Sequence, residues 1–254
     1  MQVPNAGAMP AALAAQPWTW QPGMHSLLLQ PFAGAERMQR NHSQAWQDLF
    51  VLTALGGKRG GSYLEVGAHV PVDNNNTCLL HREFDWEGVS IELDPVHFPA
   101  WLRERPQSSL LLADALRLDY AGLLEQGFAN AARRLDYLQL DIDPSIHTLQ
   151  VLERLPLDSW RFSVITFETD AYRNDLRARE RSREILTAHG YALVAADVSV
   201  LYPPVSPDPI AFEDWWLDPQ SIDAERIRGM QSMHRPGDTP HRLLFGSFSG
   251  AAAR

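Results

Sequence analysis

A chain of 254 residues, 45% of them hydrophobic and 21% charged, is long enough to bury the core of one α/β domain and too rich in mixed charge and aromatics to be disordered or fibrous. Its acidic balance, 31 Asp and Glu against 22 Lys and Arg for a formal charge of −9, gives no electrostatic reason to expect a nucleic-acid partner. Cys78 is the lone cysteine and Lys58 the lone lysine, which excludes an internal disulfide and a cysteine-based zinc site and leaves one candidate for lysine chemistry.

Residues 1–38 read as a flexible N-terminal segment. Met1 to Pro22 is rich in Ala, Pro and Gln, without the basic n-region or long apolar run of a signal peptide or membrane span. A cytoplasmic location with no membrane association is therefore expected. The main domain is expected over 39–246, followed by a small polar tail over 247–254. Within it the predicted elements alternate in chain order: helix Ser43–Leu55, strand Ser62–Val66, strand Gly88–Glu92, helix Pro95–Glu104, strand Ser109–Ala113 and helix Tyr120–Gln126. Strand Asp136–Leu140, helix Pro144–Leu155, strand Ser163–Phe167, helix Asp175–His189 and strand Tyr191–Ala196 follow. Several strands are nearly continuous apolar runs, as in parallel sheets covered on both faces. His189 in a last turn followed by Gly190 is a helix stop. The four prolines within Leu201–Pro209 mark a loop. This alternation is the pattern of a doubly wound α/β sheet.

In such sheets ligands bind beyond the carboxyl ends of the strands. Acids stand there in five successive strands: Glu65, Glu92, Asp114, Asp141 with Asp143, and Glu168 with Asp170. The first turn, Glu65-Val-Gly-Ala-His69, has a single glycine, and the next is Gly88. A pyrophosphate requires close approach of bare backbone N–H groups, which a run of glycines permits. One glycine among acids suits a cationic, phosphate-free nucleoside better than NAD, FAD or ATP.

Tyr63-Leu-Glu-Val-Gly-Ala-His69, Val89-Ser-Ile-Glu-Leu-Asp94, Leu112-Ala-Asp-Ala115 and Tyr137-Leu-Gln-Leu-Asp-Ile-Asp143 resemble the successive motifs of class I S-adenosylmethionine-dependent methyltransferases. With Val164-Ile-Thr-Phe-Glu168 and Ser43-Gln-Ala-Trp-Gln-Asp48, the chain is similar to the FkbM-like branch over roughly Gln39 to Gly190. The resemblance implies a Rossmann-like, doubly wound, mostly parallel seven-stranded sheet with helices on both faces, and S-adenosylmethionine as cofactor. It implies that Glu65, Gly67 and Ala68 line the methionine part, that Glu92 accepts from the ribose hydroxyls, and that Asp114 and Ala115 lie near the adenine. Asp141 falls near the methyl group and acceptor. Where the family carries further glycines, this chain has His69 to Thr77, and Asn74, Asn75, Asn76 and Thr77 are read as supplying side-chain contacts, or left-handed turn geometry, instead. Gln44, Trp46 and Gln47 are expected to form an N-terminal lid helix whose polar side chains reach the cofactor.

For the chemistry, Asp141, Asp143, His69 and His147 are the candidate proton acceptors. Asp141 and Glu168, with Asp170 or Asp143, are a candidate Mg2+ set, with helix capping or complementing the cofactor's sulfonium as the competing readings. Asp94 and Asp218 precede prolines and read as helix caps. The arginines 173, 177, 179, 181 and 183 read as a solvated helix face or an anion-recognition ladder. Glu213, Asp214, Trp215 and Trp216 sit in an expected substrate-binding insertion at about 200–235; tryptophan faces with carboxylates suit a sugar or a cation, and a core strand is the alternative. The expected activity is O-methylation of a hydroxyl on a small molecule or glycan. An N-methyltransferase acting on a small amine, a non-catalytic binding protein of the same fold and a nucleotide-dependent reductase are the alternatives. A homo-oligomer is compatible with the sequence.

Overall fold

The computed structural model describes residues 19–202 and 205–246; the first 18 residues of the expected flexible segment and the 247–254 tail lie outside the described residues. Seven strands form one sheet: β1 (Ser62–Val66), β2 (Glu87–Glu92), β3 (Ser109–Leu112), β4 (Arg134–Leu140), β5 (Arg161–Glu168), β6 (Ala192–Val200) and β7 (Ile210–Leu217). Their order is β3-β2-β1-β4-β5-β7-β6, with every pair parallel except the two that β7 makes with β5 and β6. This is the Rossmann-like, mostly parallel α/β arrangement expected from the sequence. The reversal of strand order between β1 and β4 opens the crevice in which such sheets bind ligands.

Helices cover both faces. One face packs against α1 (Gln47–Ala54), α2 (Cys78–Phe84), α7 (Ala224–Met233) and α8 (Pro240–Phe245). The other packs against α4 (Tyr120–Gly127), α5 (Ser145–Arg154) and α6 (Arg177–Ala188). The remaining helix, α3 (Phe98–Glu104), follows a short 3-10 turn that Asp94 caps by accepting from the Val96 N–H at 2.9 Å. Alternation along the strands divides the core: Tyr63, Tyr137 and Val164 face one way, while Leu64, Leu138 and Ile165 face the other. Among the described residues no helix is long and apolar enough to cross a membrane.

Two expectations are corrected by packing. Flexibility through residue 38 does not hold from Trp20 onward. Trp20, Met24, Leu28, Phe32 and Met38 are buried against α1, α2, α7 and α8, and the Trp20 indole donates to the Met38 carbonyl at 3.0 Å. These apolar side chains are spread along irregular backbone with short 3-10 turns, so they carry no helical or strand period. The expected insertion at 200–235 is instead β7 and α7, integral to the sheet and its cover. Trp215 and Trp216, both at most 1% exposed, point to opposite faces of β7, and Trp215 stacks on Phe50 with ring centroids 4.5 Å apart. Glu213 and Asp214 are equally buried, so none of the four offers a surface to an acceptor.

Asp214 and Asp218 are paired with arginines. Asp214 accepts two hydrogen bonds from Arg183, at 2.7 and 2.8 Å. Arg179 and Arg183 also reach Asp197, so these two arginines neither sit on a solvated face nor remain available to an anion. Asp218, expected to cap a helix, instead accepts from the Gln220 N–H in a turn and binds Arg161 at 2.6 Å and Arg134 at 2.7 Å, while the next helix, α7, is capped by Asp223.

Candidate functional site

A cavity of about 660 Å3 opens at the carboxyl ends of β1 to β5. Gln44, Glu65, Gly67, Ala68, His69 and Asn76 line it from the β1 side, and Glu92, Asp114 and Ala115 from β2 and β3. Asp141, Asp143 and Glu168 close it from the ends of β4 and β5, and His147 from the first turn of α5. A larger depression of about 840 Å3 lies at the opposite, amino ends of the strands, where Lys58 is already ion-paired with Asp136 at 2.7 Å. It gathers none of the candidate catalytic, cofactor or metal residues.

The β1 turn has no room for a side chain at residue 67. Gly67 adopts φ +86°, and a Cβ there would overlap the Asp141 carbonyl. Its glycine is required by the approach of β4. The Gly67 and Ala68 N–H groups both donate to the Ile91 carbonyl at 3.0 Å, and the His69 N–H donates to Glu92 Oε2 at 2.6 Å. Three successive N–H groups are thus committed internally, and no anion-binding nest is left for a pyrophosphate.

Glu92 accepts from His69 through one oxygen and from the Asp94 N–H through the other at 2.7 Å, and each oxygen retains a further lone pair. Asp114 caps the following 3-10 turn by accepting from the Leu116 N–H at 2.9 Å. Glu65 is buried and accepts from Thr77 at 2.9 Å and Ser90 at 2.6 Å, so Thr77 stands behind the cavity wall rather than in it. Burial raises the Glu65 carboxyl, with Arg105 pulling in the opposite direction. His69 packs edge-on against His97, with ring centroids 4.3 Å apart, at the cavity mouth.

Asp141 and Glu168 are partly buried and close enough to share a hydrogen bond. Burial raises both carboxyls, and the neighbouring charge of Asp141 adds to the rise at Glu168, which stands well above the usual carboxylate range. Asp170 does not join them. Its backbone is left-handed at φ +49°, and its carboxylate lies 3.1 Å from Arg173, which also pairs with Asp143 at 3.0 Å. Among the described residues no three His, Cys, Asp or Glu side chains are placed to hold a metal ion, and the expected Mg2+ set of Asp141, Glu168 and Asp170 is corrected accordingly.

Two acceptor atoms at the cavity are buried without a hydrogen-bond partner, Asn76 Oδ1 and Glu168 Oε2. Unpaired acceptors fit a ligand that brings donors or positive charge. Sequence reading missed the apolar lining from Ile91, Leu93, Leu116 and Ile142, which carries no motif of its own. It also missed Arg105, more than 25 residues downstream of the loop it contacts.

No known family model matches the chain, and no curated protein matches it. Among solved structures the fold is similar to a putative O-methyltransferase from Klebsiella pneumoniae, at 15% identity and TM-score 0.48, covering 82% of this chain and 94% of that one. It is also similar to the fibrillarin pre-rRNA processing protein of Methanococcus jannaschii, at 17% identity and TM-score 0.41, covering 68% and 76%. A third is the Aeropyrum pernix fibrillarin, solved with natively bound S-adenosyl-L-methionine, at 14% identity and TM-score 0.38, covering 63% and 67%.

Proposed function

We propose that the protein is an S-adenosylmethionine-dependent methyltransferase of the FkbM-like type that methylates a hydroxyl of a small molecule or glycan. The observation that carries this reading is the chemistry of the β1 turn: its successive N–H groups are spent inside the protein, while carboxyl groups from five strands line the cavity. Among the described residues that lining contains no Lys or Arg. It suits a cationic nucleoside without phosphate, and it argues against a nucleic-acid or phosphorylated acceptor.

The cofactor supplies an electrophilic methyl group on a cationic sulfur. The free lone pairs of Glu92 accept from the ribose hydroxyls, and Asn76 Oδ1 and Glu65 face the amino-acid end. Asp114 and Ala115 border the base, with Leu93 and Leu116 as apolar walls. Alignment of the acceptor for in-line attack is the main contribution of the walls. In its ionised form the Asp141 carboxylate takes the acceptor proton and is neutralised by it. His69 and His147 line the same space and complete the set of proton acceptors.

An acid-lined acceptor end also suits a protonated amine, which makes N-methylation the second reading. Isothermal titration with S-adenosylmethionine tests the first step: wild type binds, and Glu92→Ala binds at least tenfold more weakly. Absence of wild-type binding refutes the proposal. Mass-spectrometric screening of hydroxyl and amine acceptors then separates the two readings by the atom that gains the methyl group.

A further inference from the structure

The loop between β1 and α2 lacks the glycines that usually shape such turns, yet it holds two non-glycine residues in the left-handed region, His69 at φ +47° and Asn74 at φ +53°. Backbone of this kind persists only where surrounding contacts over-determine it. The contacts come from Arg105, at the C-terminal end of α3 and only 2% exposed. Its Nη1 donates to Asn75 Oδ1 at 2.8 Å and to Thr77 Oγ1 at 3.1 Å, and its Nη2 donates to the Tyr63 hydroxyl at 3.0 Å. Its Nε donates to Ser108 at 3.0 Å, and its guanidinium lies 4.6 Å over Trp101, whose indole donates to the His69 carbonyl at 2.9 Å. Asn75 in turn donates to the Ala68 carbonyl at 3.1 Å. One planar, permanently charged group therefore ties down both ends of the loop, which the forked donor geometry of arginine allows and a lysine would not.

Between the two residues that Arg105 holds directly stands Asn76. It is 6% exposed, it lines the cavity, and its Oδ1 has no partner. The geometry points to Arg105 as a positioning residue: by clamping Asn75 and Thr77 it aims the Asn76 carboxamide oxygen into the cavity as the receptor for the ammonium of an α-amino acid group on the ligand. This rests on reading the cavity as the S-adenosylmethionine site. The arginine clamp replaces with side-chain hydrogen bonds the shape that glycines supply elsewhere, and it makes recognition of the amino-acid end separable from recognition of the nucleoside.

That separation is the test. Two probes are titrated calorimetrically: S-adenosylhomocysteine, which carries the amino-acid end, and 5′-methylthioadenosine, which lacks it. Wild type is expected to bind both. Arg105→Gln and Asn76→Ala are expected to weaken S-adenosylhomocysteine at least tenfold and to leave 5′-methylthioadenosine within twofold, while Arg105→Lys recovers only part of the loss. Should Arg105→Gln fail to fold, Asn75→Ala removes the same link while Arg105 keeps its bonds to Tyr63 and Ser108, and the same selective loss is expected. A folded Arg105→Gln or Asn75→Ala that weakens both probes equally, or neither, overturns the positioning role. Wild-type binding of 5′-methylthioadenosine alone overturns the assignment of Asn76. Wild-type binding of neither probe overturns the cofactor reading itself, and the inference with it.

Discussion

Glu168 and Glu213 are register partners across the antiparallel β5–β7 pair, so two carboxyl groups leave the sheet side by side on one face. Burial pushes Glu213 up to about 8, against the hydrogen bonds it accepts from Trp215 at 2.7 Å and Gln47 at 3.1 Å. Its folded-state pKa thus exceeds the ordinary 4.5. The stability this group contributes is fully present below that ordinary value and is lost as pH rises through about 8. Glu213→Gln removes the dependence. Denaturant titrations between pH 5 and 8 are expected to show wild type losing about 3 kcal/mol relative to the variant. A pH-independent difference would contradict this.

The raised Asp141–Glu168 pair couples to ligand charge. A cation entering the cavity favours the ionised forms, so binding releases protons and affinity rises with pH while the pair titrates. Titrations in buffers of different ionisation enthalpy are expected to show more protons released with S-adenosylmethionine than with the uncharged-sulfur product. Glu168→Gln is expected to abolish most of the difference.

Gly67→Ala is expected to destabilise by about 3 kcal/mol or more, because a left-handed φ and a clash with β4 backbone coincide there. Chemical denaturation measures it. A loss below about 1 kcal/mol, the ordinary range for a point change, would show that the two strand ends relax apart.

Asp218 is fully buried between Arg134 and Arg161. Burial works against its ionisation, but the bonds from Arg161, the Gln220 N–H and Arg134 outweigh it and hold the carboxyl below its ordinary 3.8. Its stabilisation is present above that value and is lost as pH falls through the depressed one. Asp218→Asn is expected to cost about 3–5 kcal/mol at neutral pH, with the gap to wild type closing in acid. Thermal melts across that range report it.

Strand positions were legible because period and apolar run-length are local. β1 is found at Ser62–Val66, the span that was expected, and the acids at the strand ends lie around one cavity because parallel strands share a carboxyl edge. The start of α1 was less legible. The expected helix from Ser43 begins only at Gln47, since Asp48 gathers the His42 and Ser43 N–H groups and the Ser43 hydroxyl into a tight loop ahead of it. α2, α7 and α8 were missed. α7 falls within the stretch expected to be a substrate-binding insertion, and α8 lies beyond it.

The sequence by itself determined the alternation of elements, the acids at the strand ends and the lack of a glycine-rich phosphate turn, because each is written within a few consecutive residues. Tertiary structure alone decided which of those acids are free to meet a ligand. Glu213 and Asp214 are buried within β7, Asp170 turns to Arg173, and Asp141 is left beside Glu168 at the cavity. It also decided that Arg105 shapes the β1 loop from across some thirty residues of chain. Such assignments depend on burial and on partners distant in sequence, and desolvation is a property of the packed interior that no local pattern records.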